Sequence, residues 1–217
     1  MAISVTSLFG TFTGLTPVNN DQGKSNSNYE VTDKCGSVVL AGTLETVGRA
    51  STTYNVTADC ALSQIELGTI VSNHAIVGVS VSTGAGQQPT VTITGEFVGT
   101  AEIVNDTQVT ALSGTVDETL CAQAIGDIPD SALNVHLQSA SVNFSCTFTR
   151  VLGDDGATAA FNITGVKADY SAEYRSTDTS APTAPTPTAT LVITQPVTKA
   201  QENTNVDKYT LGFTEYL

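Results

Sequence analysis

The residues able to do chemistry are few and scattered. There are two histidines, His74 and His136, and four cysteines, Cys35, Cys60, Cys121 and Cys146. Neither histidine has a second histidine, acid or cysteine at metal-ligand spacing, and no two cysteines form a CxxC pair. His136, in Leu133-Asn134-Val135-His136-Leu137, has the parity opposite to the apolar face and reads as a surface strand residue. The Cys35–Cys60 and Cys121–Cys146 separations are both 25 residues. That equality fits a duplicated unit or two local bridges. Buried free thiols fit better, because the opening Met1-Ala2-Ile3-Ser4-Val5-Thr6 has no basic or long apolar export signal.

Other candidate chemistry is equally thin. Asp154-Asp155, between Gly153 and Gly156, offers hard oxygens to calcium but lacks the rest of a ligand loop. There is no GxSxG, HExxH, P-loop or GxGxxG. Gly84-Ala85-Gly86 follows a strand, but Gln-Gln-Pro and another strand come next, which argues against a phosphate cradle at a helix start. Carboxylates are plentiful enough for glycosidase chemistry, yet there is no Trp to stack a sugar. The reading is a protein that is not an enzyme, with no catalytic, cofactor-binding or metal residues and no cofactor. The sequons at Asn55, Asn105, Asn143 and Asn162 are what a Thr-rich chain produces by chance.

Charge sets further bounds. The chain of 217 residues has 8 basic and 21 acidic side chains, a net charge of -13. That argues against tight nucleic-acid binding, which needs cations to displace phosphate counterions. Between Arg49 and Arg150 there is no Lys or Arg at all. That stretch holds nine acids: Asp59, Glu66, Glu96, Glu102, Asp106, Asp117, Glu118, Asp127 and Asp130. Such a surface keeps a protein soluble, and it also suits a channel through which DNA slides without sticking. No run approaches the roughly 20 apolar residues of a membrane helix, so no membrane partner is expected.

The elements that must position these residues are strands. Thr90-Val91-Thr92-Ile93-Thr94 and Ser141 to Thr149 alternate apolar and polar residues with period two, the pattern of half-buried strands. Hydrophobic content is 40% with aromatics at 6%, so the core is aliphatic. A chain of this length buries about 70% of its unfolded surface. The fold class expected is mainly β: an antiparallel β-sandwich or barrel with long loops and one short flanking helix.

Along the chain, Asn19 to Asn28 reads as an exposed loop or extended arm. Tyr29 to Leu44 reads as a hairpin turning at Asp33 to Gly36, and Ser51 to Val56 as a further strand. Ala58 to Leu67 fits either a short helix or a strand. His74–Thr83 and Pro89–Val98 form a hairpin, as do Leu133–Arg150 with Ala157–Tyr174, and Ala189–Val197 with Asp207–Tyr216. Thr115-Val116-Asp117-Glu118 is a capping box, and Val116, Leu120, Cys121, Ala124 and Ile125 recur at helical spacing, so a helix is expected over 116–125. Ser176 to Thr190 is Pro/Thr-rich and extended, as an ordinary connector or a loop reaching another subunit.

The whole reads as a single β-rich domain over 1–217. One internal echo suggests two related halves, about 1–114 and 115–217. His74–Ser80 followed by Val91–Phe97 resembles Leu191–Thr194 followed by Tyr209–Glu215.

The opening hairpin Val31 to Val39, the single helix among strands, and the terminal strand pair around Gln201 to Lys208 together resemble tailed-bacteriophage virion proteins, the tail-tube class most of all. The resemblance is one of pattern over most of the chain and carries no site residues. It implies a subunit that assembles with copies of itself as stacked hexameric rings around an acidic channel for DNA passage. Its partners would be its own copies and other virion proteins. It would be located in the virion, assembled in the host cytoplasm. The four cysteines and the Pro/Thr-rich loop depart from that pattern. Two other readings stay open: a phage head or decoration protein, and a secreted or cell-surface adhesin-like β-sandwich.

Overall fold

The structure, a computed structural model, describes residues 5–104, 107–116, 135–154, 157–177, 181–203 and 206–217, without the side chains of 24–32, 39–47, 135 and 202–203. The strands are β1 Leu15–Thr32, β2 Val38–Val56, β3 Cys60–Ala61, β4 Glu66–Leu67, β5 Ile70–Val71, β6 His74–Gly84 and β7 Thr90–Phe97. They continue with β8 Glu102–Ile103, β9 Thr110–Ala111, β10 Thr115–Val116, β11 Val135–Leu152, β12 Thr158–Ser176, β13 Leu191–Asn203 and β14 Val206–Tyr216. The mainly-β, antiparallel class is as expected. The main sheet runs β1-β2-β7-β6-β11-β12-β14-β13 and stays open at both ends rather than closing as a barrel.

The first hairpin is longer than its sequence pattern shows. Of the two readings of Asn19 to Asn28, the loop is not what forms: the run is part of β1, paired with β2 on both sides of a bulge at Gly23. An edge strand has water along one side, so a polar run can stay in the ladder without burying anything. The turn falls where expected. The Asp33 carboxylate accepts from the N–H groups of Cys35 at 2.8 Å and Ser37 at 2.9 Å, and Gly36 supplies the positive φ of 82°.

The sheet is one pattern used twice. β11 and β12 begin and end 120 residues after β1 and β2, residue 15 corresponding to 135 and residue 56 to 176. Their registers match at both ends, where Leu15 faces Val56 and Val135 faces Ser176, and Thr32 faces Val38 and Leu152 faces Thr158. Between them the middle bulge of β1, at Gln22 to Lys24, lies three residues earlier than that of β11, at Ser145 to Thr147. Bulges fall between Pro17 and Asn19 and, likewise, between Leu137 and Ser139. The second hairpins follow the same rule. Tyr54 faces Val91 and Tyr174 faces Tyr209, and a bulge after Ile76 has its twin after Ile193. Each unit therefore reads hairpin first, with the last strand inserted beside it and the third strand outermost. The units join where β6 of the first pairs with β11 of the second.

The connections cover the sheet. Phe9 from the N-terminal segment, Leu62 in a 3-10 turn (Leu62–Gln64), Ile65, Leu67 and Leu112 are buried against Val79, Val81, Val91 and Ile93. Ala58 to Leu67 thus divides into strand, 3-10 turn and strand. A smaller core lies apart, where Ala75, Val77 and Val98 meet Phe161 and Ile163. The burial parity of β12 changes at Gly165 (φ 61°), so Phe161 and Ile163 serve the small core and Val166 to Tyr174 the large one.

The helix expected over 116–125 is not shown. Thr115 and Val116 pair with Ala61 and Cys60 as β10, and 117–125 lie outside the described residues. The bridge buries Val116.

Candidate functional site

Two places have geometry beyond core packing: the seam between the units and the open edges of the sheet. At the seam Ser139 to Ser145 pairs antiparallel with Gly84 to Gly78. Val142 faces Val81 and Phe144 faces Val79, all fully buried. Phe144 meets Tyr170 edge to face, and Tyr170 stacks on Phe213 at 4.5 Å. The Cys146 thiol donates to the carbonyl of Val77 at 3.2 Å, and burial pushes it up to about 11.

Beside this apolar strip lies one polar hub. Glu96 on β7 takes Arg150 on β11 at 3.3 Å and Arg49 on β2 at 3.8 Å. Arg150 also donates to the Phe97 carbonyl and lies over the Phe148 ring. The two arginines that bound the cation-free stretch thus converge on one of its nine acids. In the second unit the place of Arg49 and Glu96 is taken by Asp169 and Thr214, whose hydroxyl donates to the carboxylate at 2.5 Å.

The other acids are not gathered. Asp59, Glu66 and Glu102 are exposed on separate elements, and Asp106, Asp117, Glu118, Asp127 and Asp130 lie outside the described residues.

The open edges are β1 and β13. On β13 Thr194 to Pro196 and Thr198 to Gln201 are exposed; on β1 Thr16, Val18, Asn19 and Asp21 to Gly23 are exposed. Beyond Arg49, β2 pairs only with β1 among the described residues, so Lys24 to Val47 forms a two-stranded arm. Its twin, residues 144–167, is not alone. β8 pairs beside it, and Gln108 and Val104 donate backbone N–H bonds to Ile163 and Phe161.

The singled-out side chains have structural settings. His74 is buried between Phe9 and Phe97, and its Nδ1 lies 2.8 Å from the Ser72 carbonyl, which fixes that nitrogen as the protonated one. His136 is exposed on β11, as its parity predicts. Cys35 is exposed at the hairpin turn, Cys60 is buried and Cys146 is half-buried; none of the three is bridged, and Cys121 lies outside the described residues. Of Asp154-Asp155, only Asp154 is described. Among the described residues no three His, Cys, Asp or Glu side chains form a metal-sized group.

Sequence reasoning missed the seam residues as a set. The signal was present in the apolar parity shared by Val79, Val81, Val142 and Phe144, but nothing local says that β6 and β11 are neighbours. No protein-family model and no curated protein matches this sequence.

Proposed function

We propose that this chain is a non-enzymatic virion structural protein that assembles with copies of itself, as tail-tube subunits of tailed bacteriophages do, into stacked rings around a channel for DNA. The observation that carries this reading is the open sheet. It ends in two strands, β1 and β13, whose outer hydrogen-bonding edges have no partner strand among the described residues. Open edges are a template for other chains and are otherwise a hazard. The arm Lys24 to Val47 points the same way, because a two-stranded ribbon is marginal in water until something packs on it. A net charge of -13 suits a wall that DNA passes without adhering.

Negative-stain microscopy of the purified protein tests the reading. Rings or tubes with a central hole are the expected result. A monomer at every concentration, shown by sedimentation, would overturn it.

A further inference from the structure

We infer that one copy's β13 edge receives the next copy's β1 edge, repeating between chains the seam that β6 and β11 make within one. The inference rests on the assembly role proposed above and says which surfaces meet and in which register.

The two units supply matching halves of this joint. In the internal seam the outermost strand of unit one, β6, meets the first strand of unit two, β11. The strands left over at the ends of the sheet are the same two kinds: β13 is the twin of β6, and β1 is the twin of β11. A joint between them is head-to-tail, so it propagates from copy to copy and closes as a ring if the rotation allows.

The register follows from the twin positions. Ser80, Val81 and Ser82 face Thr92, Val91 and Thr90 on β7, as Thr198, Lys199 and Ala200 face Thr210, Tyr209 and Lys208 on β14. Inside the seam, Asn143, Val142 and Ser141 face Ser80, Val81 and Ser82. Carried to the outer edges, Gln22 and Asp21 of one copy face Lys199 and Ala200 of another, and Gly23, in the bulge between Gln22 and Lys24, ends the stretch. Pro196, which lacks a ladder N–H, lies within the bulge between Gln195 and Thr198, outside this stretch.

A second observation comes from the other face. In the internal seam the arm of unit two rests on Ala75 and Val98, which are 0% and 1% exposed. The twins of those residues at the free end of the sheet are Val192 and Tyr216, and they are 46% and 53% exposed. The second arm covers the first pair, together with Ile70 and Ala101 of the first unit. Among the described residues no other arm of the same chain covers the second pair. The arm of an incoming copy, Lys24 to Val47, has the length of the arm that does this inside the chain and pairs as it does from Ser27 and Leu44 to the turn, its basal bulge lying three residues earlier.

The outer joint is more polar than the inner one, since Gln22 and Lys199 stand where Val142 and Val81 do. Lys, Pro and bulges on an edge also discourage indiscriminate pairing. The joint is therefore a selective one, and the arm positions that come to Val192 and Tyr216 are Ala41 and Thr43, the smaller twins of Phe161 and Ile163.

The test is a pair of cysteines across the deduced register, Asp21→Cys with Ala200→Cys, in the full chain under mild oxidation. Facing residues of an antiparallel pair lie within disulfide reach. β1 and β13 are at opposite ends of an open sheet, so the link must join two chains. The expected result is a reducible ladder of dimers and higher multiples, with positions 21 and 200 found in one disulfide-linked peptide pair. Thr16→Cys with Ala200→Cys, out of register, should give no ladder. Val192→Asp should abolish the ladder on the Asp21→Cys, Ala200→Cys background while leaving the thermal transition in place. Rings in the microscope with no 21–200 link, or with an equal out-of-register link, overturn this seam and leave the assembly role standing. A protein that stays monomeric and unlinked at all concentrations overturns both.

Discussion

Gly95 and Phe213 occupy the same place in the two units, and the chain fills that place in opposite ways. Gly95 faces Ala50 across the β2–β7 ladder, and Phe213 faces Tyr170 across β12–β14. In the second unit the two aromatic rings stack on each other. In the first, both positions are small and Phe9 arrives from the N-terminal segment, so close that a Cβ on Gly95 would lie 2.6 Å from its ring.

Gly95→Ala should therefore destabilise the fold by about 1–3 kcal/mol through overpacking. Phe9→Ala should cost about 3–5 kcal/mol by leaving a cavity. Made together, the two should cost less than their sum, because the removed ring is what the new methyl strikes. Urea unfolding of the two single variants and the double variant measures this coupling.

Glu96→Gln should weaken the link between the units. Its carboxylate is half-buried and shared by Arg49 and Arg150, but Arg49 is largely exposed and contributes little. The expected loss is about 1 kcal/mol, most of it from Arg150. The difference from the parent protein should shrink in high salt, where the attraction is screened. Denaturation at low and high ionic strength reads both effects.

Asp169 predicts acid sensitivity. Burial alone would raise its carboxyl, yet hydrogen bonds from Lys167 and Thr214 and the Lys167 charge hold it below the ordinary aspartate value. A group depressed in the fold adds stability above its unfolded value, about pH 4, and that stability is lost as pH falls through the folded value. Asp169→Asn should flatten the decline of thermal stability below about pH 4 and lower stability at neutral pH.

The thiols should separate by environment. Cys35 is exposed, whereas burial raises Cys60 and pushes Cys146 up to about 11. The thiolate is the reactive form. Alkylation at pH 8 followed by peptide mass spectrometry should find Cys35 modified first, with Cys60 and Cys146 protected until denaturant is added.

Replacing Ser25–Thr46 by a two-residue Asn-Gly turn should leave a folded domain, because among the described residues this part of β1 and β2 pairs only with itself. Circular dichroism should show a retained β spectrum and a cooperative transition. Microscopy should show that rings or tubes are lost.

The strands were legible where one face is buried and one is wet. Val91, Ile93 and the alternating threonines between them mark β7 directly, and the hairpin it forms with β6 follows from the loop between them. Asn19 to Asn28 was not legible as strand, because an edge position removes the burial that creates the alternation. The two-residue strands from β3 to β5 and β8 to β10 have no period to read and depend on distant partners such as Ile65 and Leu112. The equivalence of the units was visible only in its second hairpins. In the first, positions such as Ala50 and Tyr170, or Arg49 and Asp169, have such different side chains that register, not residue identity, carries the correspondence. For the candidate surfaces, the sequence did not show which strands are left as edges. That depends on the order of strands, which is set by contacts among residues far apart in the chain.

The seam between β6 and β11 also bears on how an assembly would start. Two units in one chain meet as tethered partners, at an effective concentration that reaches the millimolar range for short tethers. In an assembly of the kind proposed, every second joint in a row of units would be completed during folding, before any collision between molecules. The number of chains that must meet to form a closed nucleus would be halved. The lag before growth should accordingly depend less steeply on protein concentration than it would for units supplied singly.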